Sequence, residues 1–296
     1  MNEEEEEVLR RLDRYIQLNQ IDDAIEFIDA LIYSNSTCLE DAITMLASYL
    51  NLVINSFEKS LQLIQKGLAF FPSSIPLKLE LCRNFQVRGY LKESLEMCQQ
   101  LTKEYPSSVE VWQHLADLYC IYGDYEEAIE AIDFAIACCD IYEAIMKITY
   151  HLYLSKAELL IMNENYHQAI NCLNTLIWSN KKANTNIRLL LADCYMHMGN
   201  YERAFICLSR LYDEIDIFYK IDYYAKFFIC CLRTDRKGLA IEVLADAFEH
   251  NPRSLEYITW ISTFKYAEKE TELGDEKIIN TNKFAQEYFI NNSYSN

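Results

Sequence analysis

A short motif recurs along this chain at a nearly constant spacing. The stretch GDYEEAI begins at Gly123, and the related stretches ENYHQAI and GNYERAF begin at Glu164 and Gly199. Four weaker versions keep a small residue at the same point of the pattern. The seven small residues are Ala24, Ser60, Ser94, Ala128, Ala169, Ala204 and Ala240, at spacings of 36, 34, 34, 41, 35 and 36 residues. A period of about 34 residues is typical of arrays in which each repeat is a pair of amphipathic helices.

The composition favours helices over sheets. The chain has 6 Gly and 4 Pro in 296 residues, too few for the frequent tight turns of a β-sandwich or barrel. Hydrophobic residues make up 51% of the chain, enough to bury a large core. We therefore expect an all-α fold of long helices with short connections.

The copy that starts at Val109 carries the most complete form of the repeat. Its first helix has an aromatic residue, a leucine, a small residue and a tyrosine, which are Trp112, Leu115, Ala116 and Tyr119. The residues that match the family in the turn and the second helix are Gly123, Tyr125, Ala128, Ile132 and Ala135. With these residues in these places, the chain resembles the tetratricopeptide-repeat family over about residues 5–254.

Several positions depart from the family pattern. The family's last position is proline in three copies and another residue in three more: Pro72, Pro106 and Pro252, against Asp140, Lys181 and Asp216. Leu12 and Phe228 stand where the family has a small residue. We therefore expect less regular packing in the first and last copies.

The resemblance implies a right-handed α-solenoid of about seven antiparallel helix pairs with a C-terminal capping helix. The copies are expected near residues 5–38, 41–74, 75–108, 109–142, 150–183, 185–218 and 221–254, which together make a repeat array over 1–254. Residues 255–270 have an apolar stripe at helical spacing and are predicted to form the capping helix. Residues 271–296 are more polar and are predicted to be weakly structured.

The longest spacing predicts a longer helix. The fourth and fifth copies are 41 residues apart, and residues 124–198 contain no Gly or Pro. This spacing is seven residues longer than the usual 34. Seven residues amount to about two helical turns, so a helix can include them and keep its apolar face in phase. We expect the first helix of the fifth copy to run over about residues 142–162.

The resemblance also implies where a ligand would bind. In the family, the first helices line a concave groove that holds extended peptides or partner helices. Transferred by repeat position to copies four, five and six, the groove residues are Glu110, Gln113, Asp117 and Cys120; His151, Leu154, Glu158 and Ile161; and Asn186, Leu189, Asp193 and Met196. Three equivalent positions are acidic, so stacking is expected to align Asp117, Glu158 and Asp193 in a row.

Two interpretations of this row stay open. A strip of carboxylates flanked by apolar side chains suits a ligand that alternates basic and apolar residues. Alternatively, these are solvated polar positions of a generally acidic protein.

Family members that grip chaperone carboxy-termini place Lys and Asn in the groove. The corresponding pairs here are Met45 and Tyr49, Leu79 and Arg83, Gln113 and Asp117, and Leu154 and Glu158. Chaperone tails are therefore disfavoured as partners.

The net charge disfavours nucleic acids and membranes as partners. The chain has 45 Asp plus Glu against 27 Lys plus Arg, a formal charge of −18, and such a surface repels phosphate backbones and anionic headgroups. The amino terminus is acidic, unlike an export signal, and no apolar run is long enough to span a membrane. The 11 cysteines have no metal-binding spacing. We expect a cytoplasmic protein.

Catalysis finds no support in the sequence. The five histidines are scattered over different copies, and no metal-ligand, nucleophile or phosphate-binding motif is present. We therefore expect no enzyme activity, no cofactor and no metal. The leading hypothesis is an adaptor that holds a segment of another protein in the groove. The alternative is a structural scaffold that self-associates and has no groove ligand. The oligomeric state, left open by the sequence, distinguishes the two.

Overall fold

The fold is all-α. The structure, a computed structural model, describes residues 3–34, 37–139, 145–179, 185–211 and 221–250. Within these ranges the chain forms 14 α-helices and no β-strand. It divides into two compact units, Met1–Leu152 and Tyr153–Asn296, which we call unit 1 and unit 2. The prediction of an all-α solenoid of helix pairs is confirmed.

The helices follow one another in pairs joined by short turns. Unit 1 contains α1 Glu3–Gln17, α2 Ile21–Tyr33, α3 Leu39–Leu52, α4 Phe57–Phe70, α5 Ile75–Val87, α6 Leu91–Glu104, α7 Val109–Tyr122 and α8 Tyr125–Cys138. The unit boundary falls within α9 Ile145–Met162. Unit 2 continues with α10 Tyr166–Ser179, α11 Thr185–His197, α12 Tyr201–Ser209, α13 Ile221–Arg233 and α14 Lys237–His250. None of the described helices is long and apolar enough to cross a bilayer.

The turn inside every pair contains one residue with a left-handed backbone. These residues are Asn19, Asn55, Gly89, Gly123, Glu164, Gly199 and Asp235, with φ between 54° and 85°. At Gly123 the amide donates to the Cys120 carbonyl at 3.1 Å, and the next amide, of Asp124, donates to the Tyr119 carbonyl at 3.0 Å. These bonds close the end of α7 as a Schellman motif, which favours Gly or Asn at its left-handed position. The turn geometry therefore recurs even where its residue changes.

The recurring small residues are the places where the two helices of a pair meet. All seven, from Ala24 to Ala240, are 0% exposed. The hydroxyls of the two serines in the series donate hydrogen bonds to the facing helix, because a buried hydroxyl without a partner would be destabilising. Ser60 Oγ donates to the Ala47 carbonyl at 3.1 Å, and Ser94 Oγ donates to the Cys82 carbonyl at 2.8 Å. Close approach and hydrogen bonding explain the selection of Ala and Ser.

The two large residues at small positions lie in the core. Leu12 and Phe228 are both 0% exposed. Phe228 belongs to the core cluster of unit 2, where Tyr223 packs 5.7 Å from Phe227, measured between ring centroids. Each unit therefore has its own hydrophobic core, and the core of unit 2 is rich in aromatic side chains from α13.

The long helix of the fifth copy ends where the sequence predicts. Helix α9 ends at Met162 and has 18 residues, whereas the other first helices have 13 to 15. Its predicted start, at residue 142, lies outside the described residues. The predicted capping helix over 255–270 and the weakly structured segment over 271–296 also lie outside them, so both stay predictions.

Candidate functional site

Unit 1 contains a cavity of about 510 Å³ between the first helices of three repeat copies. The helices are α3, α5 and α7, which belong to consecutive copies. Ten residues line the cavity: Thr44, Ile75, Pro76, Leu79, Glu80, Arg83, Glu110, Gln113, His114 and Asp117. We call it the unit 1 cavity. It lies on the face of the first helices where the sequence predicts a groove.

Helix α7 contributes the polar wall. Glu110, Gln113, His114 and Asp117 are spaced i, i+3, i+4 and i+7, which puts them on one face of the helix. Glu110 is exposed, and its carboxylate accepts a hydrogen bond from Ser108 Oγ at 2.8 Å. Glu110, Gln113 and Asp117 were predicted as groove residues, and the structure brings the three together.

Helix α5 contributes an apolar wall and an ion pair. Ser74 caps the helix by accepting a hydrogen bond from the Leu77 amide at 3.1 Å. Ile75, Pro76 and Leu79 then supply apolar surface to the cavity. One helical turn further on, Arg83 contacts Glu80. The apolar and the charged parts of this wall therefore lie side by side.

The ion pair on α5 is anchored from the preceding copy. Glu80 is 4% exposed, and burial raises the pKa of its carboxyl, while the Arg83 charge and hydrogen bonds from Asn51 and Ser48 act in the opposite direction. Asn51 Nδ2 lies 3.4 Å from Glu80 Oε2, and Asn84 Nδ2 donates to Asn51 Oδ1 at 2.8 Å. A buried polar network that is hydrogen-bonded in this way holds side chains rigidly. Arg83 is therefore held close to Glu80.

His114 is the buried polar side chain of the cavity. It is 6% exposed, and its Nε2 has no hydrogen-bond partner among the described residues. Burial, with the nearby Arg83 charge adding to it, lowers the pKa of His114 to about 4. The imidazole is therefore neutral at neutral pH, with one ring nitrogen that has no protein partner.

We expect His114 to make unit 1 less stable in mild acid. Its folded pKa is about 4, whereas an unfolded histidine titrates near ~6.5. As the pH falls below ~6.5, the unfolded state takes up a proton that the folded state does not, so stability is lost until about pH 4. At about 1.36 kcal/mol per pH unit, the loss is roughly 3 kcal/mol.

The variant His114→Gln should lack this contribution. Urea unfolding of the wild type and the variant at about pH 7 and about pH 4.5 measures it, because the carboxylates that also titrate there are shared by both proteins. Equal changes in the free energy of unfolding for the two proteins would contradict the assignment to His114.

Asp117 is a carboxylate on a crowded wall. Its side chain is exposed, yet burial among the cavity atoms raises the pKa of its carboxyl, and the Arg83 charge partly opposes this. The two observations agree for a concave surface, where a side chain keeps some contact with water while protein atoms displace the rest. Among the described residues, no Lys or Arg lies within ion-pair distance of Asp117.

The predicted groove residues of copies five and six differ in accessibility. On α9, His151 and Glu158 are exposed, and Leu154 and Ile161 are half-buried. On α11, Asn186 is exposed, whereas Leu189 is 9% exposed and Met196 is 2% exposed. Leu189 and Met196 belong to the core cluster of unit 2. These two side chains therefore pack inside the protein.

Asp193 pairs with a lysine of the next copy. Lys226 Nζ lies 2.7 Å from Asp193 Oδ2, and the side chains are 7% and 19% exposed, respectively. Glu158, on α9, is exposed, and burial raises the pKa of its carboxyl. The predicted row thus combines one carboxylate in an internal ion pair with two, Asp117 and Glu158, that face solvent in their own units.

Seven cavity residues were not among the predicted site residues: Thr44, Ile75, Pro76, Leu79, Glu80, Arg83 and His114. The repeat itself carried a signal for some of them. The comparison with chaperone-binding members already placed Leu79 and Arg83 at groove positions of the third copy. Pro76 lies 34 residues before Glu110, so extending the groove back by one copy would have found it as well. Glu80 and His114 also occupy equivalent positions, but their burial could not be seen in the sequence.

The fold and the repeat agree with a match to a known family. A family model described as tetratricopeptide repeat matches residues 160–211, from the end of α9 through α12. Over these residues the chain matches the tetratricopeptide-repeat family. The helix pairs, the left-handed turn residue and the buried small residues extend the same pattern to the other copies.

Solved structures resemble this chain at low sequence identity. A tetratricopeptide repeat protein from Parabacteroides merdae ATCC 43184 is 17% identical with a TM-score of 0.53, over 88% of this chain and 99% of that one. PilF of Pseudomonas aeruginosa is 16% identical with a TM-score of 0.55, over 75% and 96%. YrrB, described as having an unusual peptide-binding site, is 14% identical with a TM-score of 0.51, over 66% and 96%. Likeness at these identities shows the fold. No curated protein matches the sequence.

Tetratricopeptide repeats are in general protein-interaction modules without catalytic activity, and the fold supports that class for this chain. Within the ranges that the structure describes, no group of three or more His, Cys, Asp or Glu is placed to hold a metal ion. The unit 1 cavity combines one apolar wall, one polar wall and an anchored ion pair.

Proposed function

We propose that this tetratricopeptide-repeat protein is a non-catalytic adaptor whose first helices hold an extended segment or a helix of a partner protein. The observation that carries the proposal is the unit 1 cavity, which is lined by three consecutive first helices. A site that adjoins three copies can contact several successive residues of a partner segment, which is how grooves recognise peptides. The mixture of apolar and polar walls suits such a ligand.

The charges of the cavity favour a basic and apolar partner segment. Glu110 and Asp117 are exposed carboxylates, while Ile75 and Leu79 supply apolar surface. The cation of the cavity, Arg83, is in contact with Glu80, which disfavours acidic chaperone tails. The overall charge of −18 disfavours nucleic acids and anionic membranes as partners. Considered by itself, unit 2 offers Glu158 as an exposed carboxylate of α9, whereas Asp193 is paired with Lys226.

A peptide selection tests the proposed function. The immobilised protein is used to select from a displayed library of random peptides of about ten residues. The variant Gln113→Trp fills the cavity, and Gln100→Trp, at an exposed position of α6 outside the cavity, makes the same change elsewhere. We expect the wild type and Gln100→Trp to enrich the same peptides, and Gln113→Trp to bind them at least about tenfold more weakly. If no peptide is enriched, or if both variants bind the peptides equally, the proposal is contradicted.

The alternative is a self-associating scaffold without a groove ligand. It predicts a molar mass that rises with protein concentration, which size-exclusion chromatography with light scattering measures. A monomer at all concentrations would support the adaptor. We propose that this adaptor is cytoplasmic, because its 11 cysteines form no disulfide within the described residues, as in a reducing compartment.

A further inference from the structure

We propose that the unit 1 cavity is a subsite for one basic side chain, a lysine or an arginine, of the bound segment. The proposal rests on the proposed function, and it assigns the cation to Asp117 and His114 on α7 and the aliphatic stem to α5. It follows from three features of the cavity: its unbalanced charge, a buried polar atom without a partner, and an apolar wall beside them.

The cavity is lined by three carboxylates and one cation, so its charge is negative. Glu80, Glu110 and Asp117 line the cavity together with Arg83. Arg83 contacts the buried Glu80, and Asn51 and Ser48 hold the Glu80 carboxylate in place by hydrogen bonds. Arg83 is therefore committed to a charge inside the wall. The negative charge of Asp117 and Glu110 is left for a ligand.

Asp117 is a suitable partner for a cation. Its carboxylate lies on a crowded wall, and no described Lys or Arg comes within ion-pair distance of it. A carboxylate that has lost part of its hydration gains more from a bound cation than a fully solvated one, because the interaction is less screened. A ligand ammonium or guanidinium at this place would restore the lost interactions.

His114 supplies an independent observation. It is 94% buried, since its exposure is 6%, and it lines the cavity. Its Nε2 has no hydrogen-bond partner among the described residues, and a buried polar atom without a partner is costly. A neutral imidazole can accept a hydrogen bond from an N–H donor at its unprotonated nitrogen. This nitrogen is shielded from solvent as the ring stands, so a cationic side chain one helical turn from Asp117 provides that donor once the imidazole turns toward the cavity.

The apolar wall of α5 matches the rest of a basic side chain. Lysine and arginine bury their aliphatic stems against apolar surface while the charged end stays with polar groups. Ile75, Pro76 and Leu79 provide that surface, and the volume of about 510 Å³ exceeds that of one such side chain. An acidic side chain in the same place would meet Asp117 and Glu110 with no uncommitted cation.

Peptide pools with one fixed residue test this subsite. The probes are fluorescent peptides of about eight residues with random flanks and a central lysine, arginine, norleucine or glutamate. For the wild type we expect the lysine or the arginine pool to bind about fivefold or more tightly than the norleucine pool, and the glutamate pool to bind most weakly. Comparison of the lysine and arginine pools shows which cation the subsite prefers.

Two variants and a matched control assign the effect. Asp117→Asn should remove the preference for a basic residue, and His114→Gln should reduce it about twofold to fivefold. Asp23→Asn makes the same change at an exposed position of α2 outside the cavity and should leave the preference unchanged. Circular dichroism confirms that each variant is folded before binding is measured.

The outcomes separate the subsite from the proposed function. If all pools bind alike, while Gln113→Trp still weakens them, the groove holds peptides but the subsite for a basic side chain is wrong. The same conclusion follows if Asp117→Asn keeps the preference. If no pool binds, the proposed function fails and the subsite with it. A basic preference that is lost only in Asp117→Asn and reduced in His114→Gln supports both.

Discussion

Replacing Phe228 with alanine should lower the free energy of unfolding of unit 2 by about 3–5 kcal/mol. The substitution restores the small residue that the repeat has at this position in other copies, so a comparison of sequences alone would predict a neutral or favourable change. The structure predicts the opposite, because Phe228 is 0% exposed in the core of unit 2. Removing its ring leaves a cavity that the surrounding aromatic side chains cannot fill.

The control for Phe228→Ala is Ile206→Ala in the same unit. Ile206 is 49% exposed on α12, so its truncation should cost less than about 1 kcal/mol. Hydrogen exchange of the α11 to α13 amides measures the effect within unit 2, because repeat proteins need not unfold as one cooperative unit. If both variants lose the same small amount of stability, the large core residue is not required by the packing of this copy.

Replacing Asp193 with alanine should also destabilise unit 2 by about 3–5 kcal/mol. The substitution removes the carboxylate that lies 2.7 Å from Lys226 Nζ, and Lys226 is 6% exposed. A largely buried charge that loses one of its partners keeps its desolvation penalty with less attraction to offset it. Lys226→Met removes the cation instead and should cost less, because the charge that remains, Asp193, is more exposed, at 19% against 7% for the Lys226 side chain, and methionine is apolar and of similar length.

The double variant Asp193→Leu/Lys226→Met separates the ion pair from simple loss of packing. Replacing both charges with apolar groups leaves neither one buried alone, so we expect it to be more stable than Asp193→Ala and within about 2 kcal/mol of the wild type. Urea unfolding followed by hydrogen exchange in unit 2 measures the three proteins. A double variant that is as unstable as Asp193→Ala would mean that the shape of these side chains matters more than their charges.

This ion pair changes how the acidic row must be tested. Reversing Asp193 to lysine would place two cations together in a largely buried site, so a loss of binding could not be separated from a loss of folding. Asp117 and Glu158 are exposed and can be changed with far less risk to the fold. Binding experiments on this protein should therefore use those two carboxylates and leave Asp193 as it is.

The repeat made much of the fold predictable. A small residue recurs at one position, and two helices can approach closely only where side chains are small. These seven residues are 0% exposed in the structure. The turn was also predictable at Gly89, Gly123 and Gly199, where glycine suits the left-handed backbone. Glu164 adopts the same backbone, and this shows that the stacked helices impose the turn even where the residue does not favour it.

The site was predictable in position but not in chemistry. Repeat positions placed Glu110, Gln113 and Asp117 on one helix face, because helical spacing alone decides that. The sequence could not say which of these polar groups is already used by another helix. Asp193 and Lys226 are 33 residues apart, and whether they meet depends on how α13 packs against α11. Glu80 and His114 are buried for the same kind of reason.

The sequence by itself determined the all-α fold, the period of the helix pairs and the small residues at which the helices meet, because these follow from local spacing and side-chain size. The tertiary structure alone decided which charges are available. It buried Glu80 with Arg83, paired Asp193 with Lys226, and left Asp117 and His114 without protein partners on the wall of one cavity. The reason is physical: the electrostatic interactions of a charge depend on its distance to groups that are remote in sequence and on the water that packing removes.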